Sequence, residues 1–184
     1  MKMPKYIALL RGINVGGKNR VVMAELKVTF EKHGFTDVKT YLNSGNVIFS
    51  TKEKTPEVLA KECEMLIETM TGLHIPVTIV SGEEWLEAVA HAPNWWNIDK
   101  ESKHNAIFII APTTTAEVMA SVGEAKPEYE QVDHHERVIF WSAPLKTFSR
   151  TRWSKIVSSA YYDRITIRNA NTVMKIAELI KKEQ

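Results

Sequence analysis

The chain predicts an α+β fold of two ferredoxin-like βαββαβ halves with antiparallel sheets and an extra C-terminal helix. Three observations carry that expectation. Short β-rich runs alternate with amphipathic stretches, a hairpin signal interrupts each half, and the element order of residues 5–80 returns after residue 102. No repeat of the sequence itself accompanies the repeated order. The divisions are a first half at 1–80, a helix and linker at 81–102, and a second half with its C-terminal helix at 103–184.

Each element has a local cause. KYIALLR (5–11) is a short apolar run bounded by turn residues, hence a buried strand. In MAELKVTFEKHG, Met23, Leu26 and Phe30 share one helical face, and Gly34 supplies the stop. VKTYLNSGNVIFS reads as two strands around Asn43-Ser44-Gly45-Asn46, a tight hairpin. Thr55-Pro56-Glu57 opens a helix as cap, first-turn proline and acid. It runs to Gly72 with Leu59, Cys63, Leu66 and Met70 inward, and HIPVTIV (74–80) is the next strand.

Ser81 with Glu84 forms a capping box ahead of a further helix, and the linker HAPNWWNIDKESK follows. HNAIFIIAP, TAEVMASVG, YEQVDHHERVIFWS, SRTRWSKIVSS and RITIR then read as strand, helix, hairpin, helix and short strand. The last helix carries Val173, Ile176, Ala177 and Ile180 on one face.

A chain of 184 residues, 44% hydrophobic and 25% charged, can bury a core as one domain or two small ones. No apolar run approaches the roughly 18 residues of a membrane span. MKMPKYIALLRG lacks the pattern of a signal peptide, and the single cysteine, Cys63, excludes a disulfide framework. The expected setting is a reducing cytosol. The net charge of +2 conceals blocks: residues 1–39 balance at +5, 40–136 at −10 and 137–168 at +6. Such blocks suit a surface with opposite poles.

In a βαββαβ unit, strands one and two run the same way, so their C-terminal ends share an edge. The glycine loop after strand one and the Asn43–Asn46 hairpin after strand two should therefore meet. Gly12 to Lys18, G-I-N-V-G-G-K, satisfies the G-x-x-x-x-G-K part of a phosphate-binding loop. It does not read as a nucleotide triphosphatase. Asn19 replaces the magnesium-holding Ser/Thr, no strand ends in the completing aspartate, and a hairpin conflicts with a parallel sheet. The dinucleotide pattern fails because residue 14 is asparagine.

Two readings of the loop stay open. Its glycines turn backbone N–H groups outward to hold an anion beside Arg11, Lys18 and Arg20, or it is a connection needing left-handed residues. The candidate ligand-binding set is Arg11, Gly12, Asn14, Gly16, Gly17, Lys18, Arg20, Asn43, Ser44 and Asn46, joined by Arg168, Asn169 and Asn171 where the last helix starts. Asn169 or Asn171 is also a natural helix cap.

A second cationic group, Lys146, Arg150, Arg152, Lys155, Arg164 and Arg168, surrounds Trp153 and suits either a nucleic-acid backbone or a solvated basic helix. Asp133-His134-His135-Glu136 offers no evident third metal ligand, so a turn is the expectation, with no metal and no cofactor. Trp95 and Trp96 suit packing or ligand stacking, and Cys63 lies on an apolar face as core. SGNVIFS does not supply the aromatic pattern of an RNA-recognition sheet.

ALLRGINVGGKNRVVMAELKVTFEKHGFTDVKTYLNSGNVIFS and ITIRNANTVMKIAELI closely resemble the bacterial family of unknown function 1697. That family often reads T-R-N-W-N-T near its last helix, where this chain has Ala170 in the tryptophan's place. The resemblance implies paired ferredoxin-like subdomains and no particular reaction. Three functions follow as expectations. The first is a binding module for an anionic, phosphate-containing ligand, a small molecule, nucleotide or nucleic acid. The second is a small enzyme on a phosphorylated or carboxylated metabolite, with Arg11 and Lys18 orienting substrate and Asp133 or His134 moving protons. The third is an interaction scaffold docking through Trp95-Trp96.

Overall fold

In the computed structural model, residues 2–182 are described. The chain through Leu86, with the stretch from Leu179, forms one compact unit, and Glu87–Glu178 forms a second. The first contains β1 (Lys5–Leu10), α1 (Met23–Lys32), β2 (Thr36–Tyr41), β3 (Asn46–Ser50), α2 (Pro56–Thr71) and β4 (Val77–Ser81). Its sheet has the order β2-β3-β1-β4, every neighbour antiparallel.

Residues Tyr6 to Leu10 of β1 are all buried, which is why that strand reads as a continuous apolar run. Tyr6, Ala8 and Leu10 join Leu26 and Phe30 of α1 and Leu59, Cys63 and Ile67 of α2 in one core. Leu66 and Met70 pack at its margin. Thr55 caps α2 by accepting from Val58 N, and Gly72 closes it at φ 72°. Pro76 has no N–H to donate, so pairing of β4 begins at Val77, while the Pro76 carbonyl accepts from Arg11 N at 3.1 Å. The Ser81–Glu84 box forms as expected: Ser81 N donates to Glu84 Oε2 at 3.1 Å and Glu84 N to Ser81 Oγ at 3.2 Å. It starts α3 (Gly82–Ala90).

The second sheet contains β5 (Ser102–Ile109), β6 (Gln131–His135), β7 (Val138–Pro144) and β8 (Ile165–Asn169), in the order β6-β7-β5-β8 and again antiparallel. The helix α4 (Thr115–Val122) joins β5 to β6 and starts with a capping box from Thr114 and Glu117. The last helix, α5 (Ala170–Lys181), buries Val173, Ile176, Ala177 and Ile180 as its periodicity predicts. The fold is thus α+β with two four-stranded antiparallel sheets and a C-terminal helix. Among the described residues no helix is long and apolar enough to cross a membrane.

One expected element differs. SRTRWSKIVSS is not α-helical; the segment folds as 3-10 turns at Leu145–Arg150 and Trp153–Ser158. The cause is Glu130, 3% exposed. Its carboxylate accepts from Arg152 N at 2.8 Å, Trp153 N at 3.1 Å, Lys126 N at 3.0 Å and Trp141 Nε1 at 3.2 Å. Arg152 N and Trp153 N stand at the cap and first position of the second turn, so the carboxylate starts a new turn there and prevents one continuous helix from running through the segment. Thr151 between the turns is extended at φ −69°, ψ 153°.

Candidate functional site

The loop after β1 and the β2–β3 turn meet in the first unit. Asn14 is the staple: its Nδ2 donates to Asn43 O at 2.9 Å and Val21 O at 3.0 Å, and its Oδ1 accepts from Val21 N at 2.9 Å. Leu10 N donates to Gly45 O at 2.8 Å. Gly45 sits at φ 93°, and a Cβ there would lie 2.7 Å from Leu10 Cβ and 2.8 Å from Ile13 Cδ1. Only glycine permits that approach.

The loop holds its shape by left-handed residues. Gly12, Asn14, Gly16, Gly17 and Asn19 have φ of 67°, 53°, 58°, 74° and 51°. Asn14 N donates to Asn19 O, Lys18 N to Val15 O, and Asn19 Nδ2 to Gly12 O. Gly16, Gly17, Lys18 and Arg20 are exposed and Arg11 is half-buried, so two cations stand at the loop's outer surface. The loop leads into α1, whose N-cap, Val22, is extended and supplies no side-chain hydrogen bond. First-turn N–H groups of a helix without a cap retain their positive end, and Glu25 offsets part of it.

The candidate residues divide by role. Asn43 and Ser44 are exposed at the rim. Asn46 is fully buried, with Nδ2 donating to Tyr41 O at 2.8 Å and Ser44 Oγ at 3.2 Å; it braces the hairpin from inside. Gly45, absent from the candidate set, is the residue whose sterics hold the two turns together, and its only signal in the sequence is the hairpin motif.

Arg168, Asn169 and Asn171 are described in the second unit. Asn169 Oδ1 accepts from Thr172 N at 2.9 Å and so caps α5, while Asn171 is exposed in the first turn. The Arg168 guanidinium bonds to Ile167 O at 2.9 Å and Thr166 Oγ1 at 3.2 Å, and burial pulls its pKa down to about 10. Asp133 and His134 are exposed on β6.

The aromatic candidates are packed. Trp153 is 1% exposed with Nε1 bonded to Gly123 O at 3.1 Å, so its ring offers no face for base stacking. Nearby cations are also engaged: Arg152 bonds to Glu124 O at 2.9 Å, Arg150 lies over Tyr129 and Arg164 over Tyr161. Trp96 is buried, donating to Asn105 O at 2.9 Å with its ring edge on Phe140. Trp95 is half-buried.

These features define an α+β protein with paired four-stranded antiparallel sheets and a glycine-rich, cation-bearing rim on the first. The chain belongs to the family described as protein of unknown function (DUF1697), whose sequence profile matches residues 3–140. That range contains both rim turns and ends before the α5 start. The chain is similar to a conserved bacterial protein from Streptococcus pneumoniae, 31% identical, covering 97% of this chain and 99% of that one at a TM-score of 0.80. The regulatory subunit of aspartate kinase from Thermus thermophilus, ligand-free, is 14% identical over 81% of this chain and 88% of its own, at a TM-score of 0.25. No curated protein matches.

Proposed function

We propose that the rim formed by Gly12–Arg20 and Asn43–Ser44 binds a phosphate-bearing ligand, of the class of nucleotides or nucleic-acid strands. The observation that supports this most is the pairing of exposed, left-handed Gly16 and Gly17 with exposed Lys18 and Arg20 on a loop braced from behind by Asn14. Consecutive residues of this kind turn backbone N–H groups toward solvent in a concavity suited to an oxyanion. The α1 start, which follows the loop directly and has no side-chain cap, adds positive potential. Arg11 stands behind as a third cation. Asn46 and Gly45 keep the turn in place without touching ligand. The expected compartment is a reducing cytosol, in keeping with one buried, free cysteine.

A labelled single-stranded oligonucleotide, followed by fluorescence anisotropy across a salt series, tests the reading. Neutralisation of three phosphates by Arg11, Lys18 and Arg20 gives log K against log salt a slope of about −2. Replacing Lys18 and Arg20 together by alanine should flatten that slope to about −0.7. Absence of binding to any polyanion, including inorganic phosphate and mononucleotides, counts against the reading. So does affinity that ignores salt or survives the double substitution.

A further inference from the structure

No third ligand for the Asp133–Glu136 histidines is legible along the chain, because the residues that approach His135 come from elsewhere in it. Glu87 on α3 and His91 just beyond it lie beside His135 at the end of β6. One potential ligand atom from each lies within 4.8 Å of the other two. We propose that Glu87, His91 and His135 form a site for a divalent first-row transition ion of the Zn²⁺ class.

Local geometry prepares each donor. Glu87 and His91 are four residues apart at a helix end, so both side chains fall on one face. The Glu87 carbonyl accepts from His91 Nδ1 at 2.9 Å. A carbonyl has no proton to give, so Nδ1 carries the hydrogen and Nε2 holds the free lone pair. A backbone carbonyl on the far ring nitrogen is also the usual way a metal-bound imidazole is oriented.

The His135 Nε2 atom is buried and makes no hydrogen bond among the described residues. It lies 3.5 Å from Glu87 Oε1, too far for a hydrogen bond of ordinary strength. The two imidazoles stack with centroids 4.0 Å apart and planes 5° from parallel. The lone pair of an imidazole lies in the ring plane, so the stacked rings hold their nitrogens close to each other and to the Glu87 carboxylate but do not yet aim them at one point.

The donor set selects the ion. Two imidazole nitrogens and one carboxylate oxygen suit Zn²⁺ and its neighbours, whereas Mg²⁺ and Ca²⁺ prefer oxygen alone. Ligands at about 2.0–2.2 Å from one ion lie within about 4 Å of each other, and binding requires the exposed His91 ring to turn out of its stack on His135 so that both in-plane lone pairs meet the ion. Three protein ligands leave a position for water or a ligand atom. The site shares no residue with the rim, so each proposal is tested independently.

The full chain, stripped with a chelator, is titrated with Zn²⁺ against a chromophoric competitor, with Mg²⁺ as a parallel probe. One equivalent of Zn²⁺ and no Mg²⁺ should bind. His91→Ala and His135→Ala should each weaken binding by more than about 100-fold, beyond the ~10–100-fold of a lost outer-shell partner. Glu87→Gln should weaken it at least about 10-fold, and His134→Ala, on the opposite strand face, should leave it intact. Far-UV circular dichroism of the metal-free variants reports their folding. Co²⁺ uptake by the unaltered chain, read from its visible d–d bands, tests imidazole ligation without any substitution. Failure to take up one equivalent, or equal affinity in the His91→Ala and His135→Ala chains, overturns the proposal. Unchanged affinity in Glu87→Gln overturns the three-ligand assignment.

Discussion

Glu130 holds the second unit's irregular segment in place, and its removal should be costly. The side chain is 3% exposed and accepts four hydrogen bonds, from Lys126 N, Arg152 N, Trp153 N and Trp141 Nε1, at 2.8 to 3.2 Å. A hydrogen bond to a charged group contributes roughly 1.5–3 kcal/mol, and a buried donor left alone costs about 1–3 kcal/mol. The four are not additive, because water enters the space that truncation opens. Glu130→Ala should therefore lose about 3–5 kcal/mol. Glu130→Gln should lose about 2–3 kcal/mol, since its amide NH₂ replaces an oxygen that faced two donors.

Urea unfolding followed by tryptophan fluorescence is the direct assay, because Trp141 and Trp153 both bond to the carboxylate. With a urea slope near 2 kcal/mol/M, the alanine variant's midpoint should fall by about 1.5–2.5 M. Glu128, which is exposed, supplies the control substitution. A Glu130→Ala cost below about 1 kcal/mol, matching Glu128→Ala, would refute the account of why this segment is not helical.

Three further outcomes are expected. Gly45→Ala places a Cβ 2.7 Å from Leu10 Cβ at a φ of 93°, so it should destabilise by more than about 2 kcal/mol in thermal unfolding, and a cost under 0.5 kcal/mol would show that the turns are not held by contact there. Cys63 is fully buried, and burial pushes its thiol well up, so a thiol-specific dye should label the native chain only as fast as it opens; rapid stoichiometric labelling would contradict its place in the core. Glu62 is held below the usual carboxylate range chiefly by its 2.7 Å hydrogen bond from Lys54, with His33 adding and burial opposing. A depressed folded pKa stabilises above the unfolded value, near 4.3, and that contribution is lost as pH falls through the folded value. The stability gap between the chain and Glu62→Gln should thus be full above about pH 5 and close in more acidic urea titrations; a gap that widens on acidification reverses the sign.

The sequence by itself determined the elements whose causes lie within a few residues. Thr55-Pro56 and Ser81-Glu84 start helices where their chemistry requires, Gly72 stops one, and the period of Val173, Ile176, Ala177 and Ile180 fixes a buried face. Strand order followed too, because a βαββαβ sequence has few compact solutions, and with it the meeting of the loop and the hairpin. Tertiary structure alone decided which polar residues face solvent and which face each other. Asn43 and Asn46 sit three residues apart in one turn, yet one is exposed and the other buried, because only the second points into the sheet. Glu130 overrides a helical pattern more than twenty residues downstream, and Glu87 with His91 reaches a histidine more than forty residues away. Such partnerships leave no mark at short range: their energy arises only when topology closes the loop between them and excludes the water that would otherwise satisfy each group.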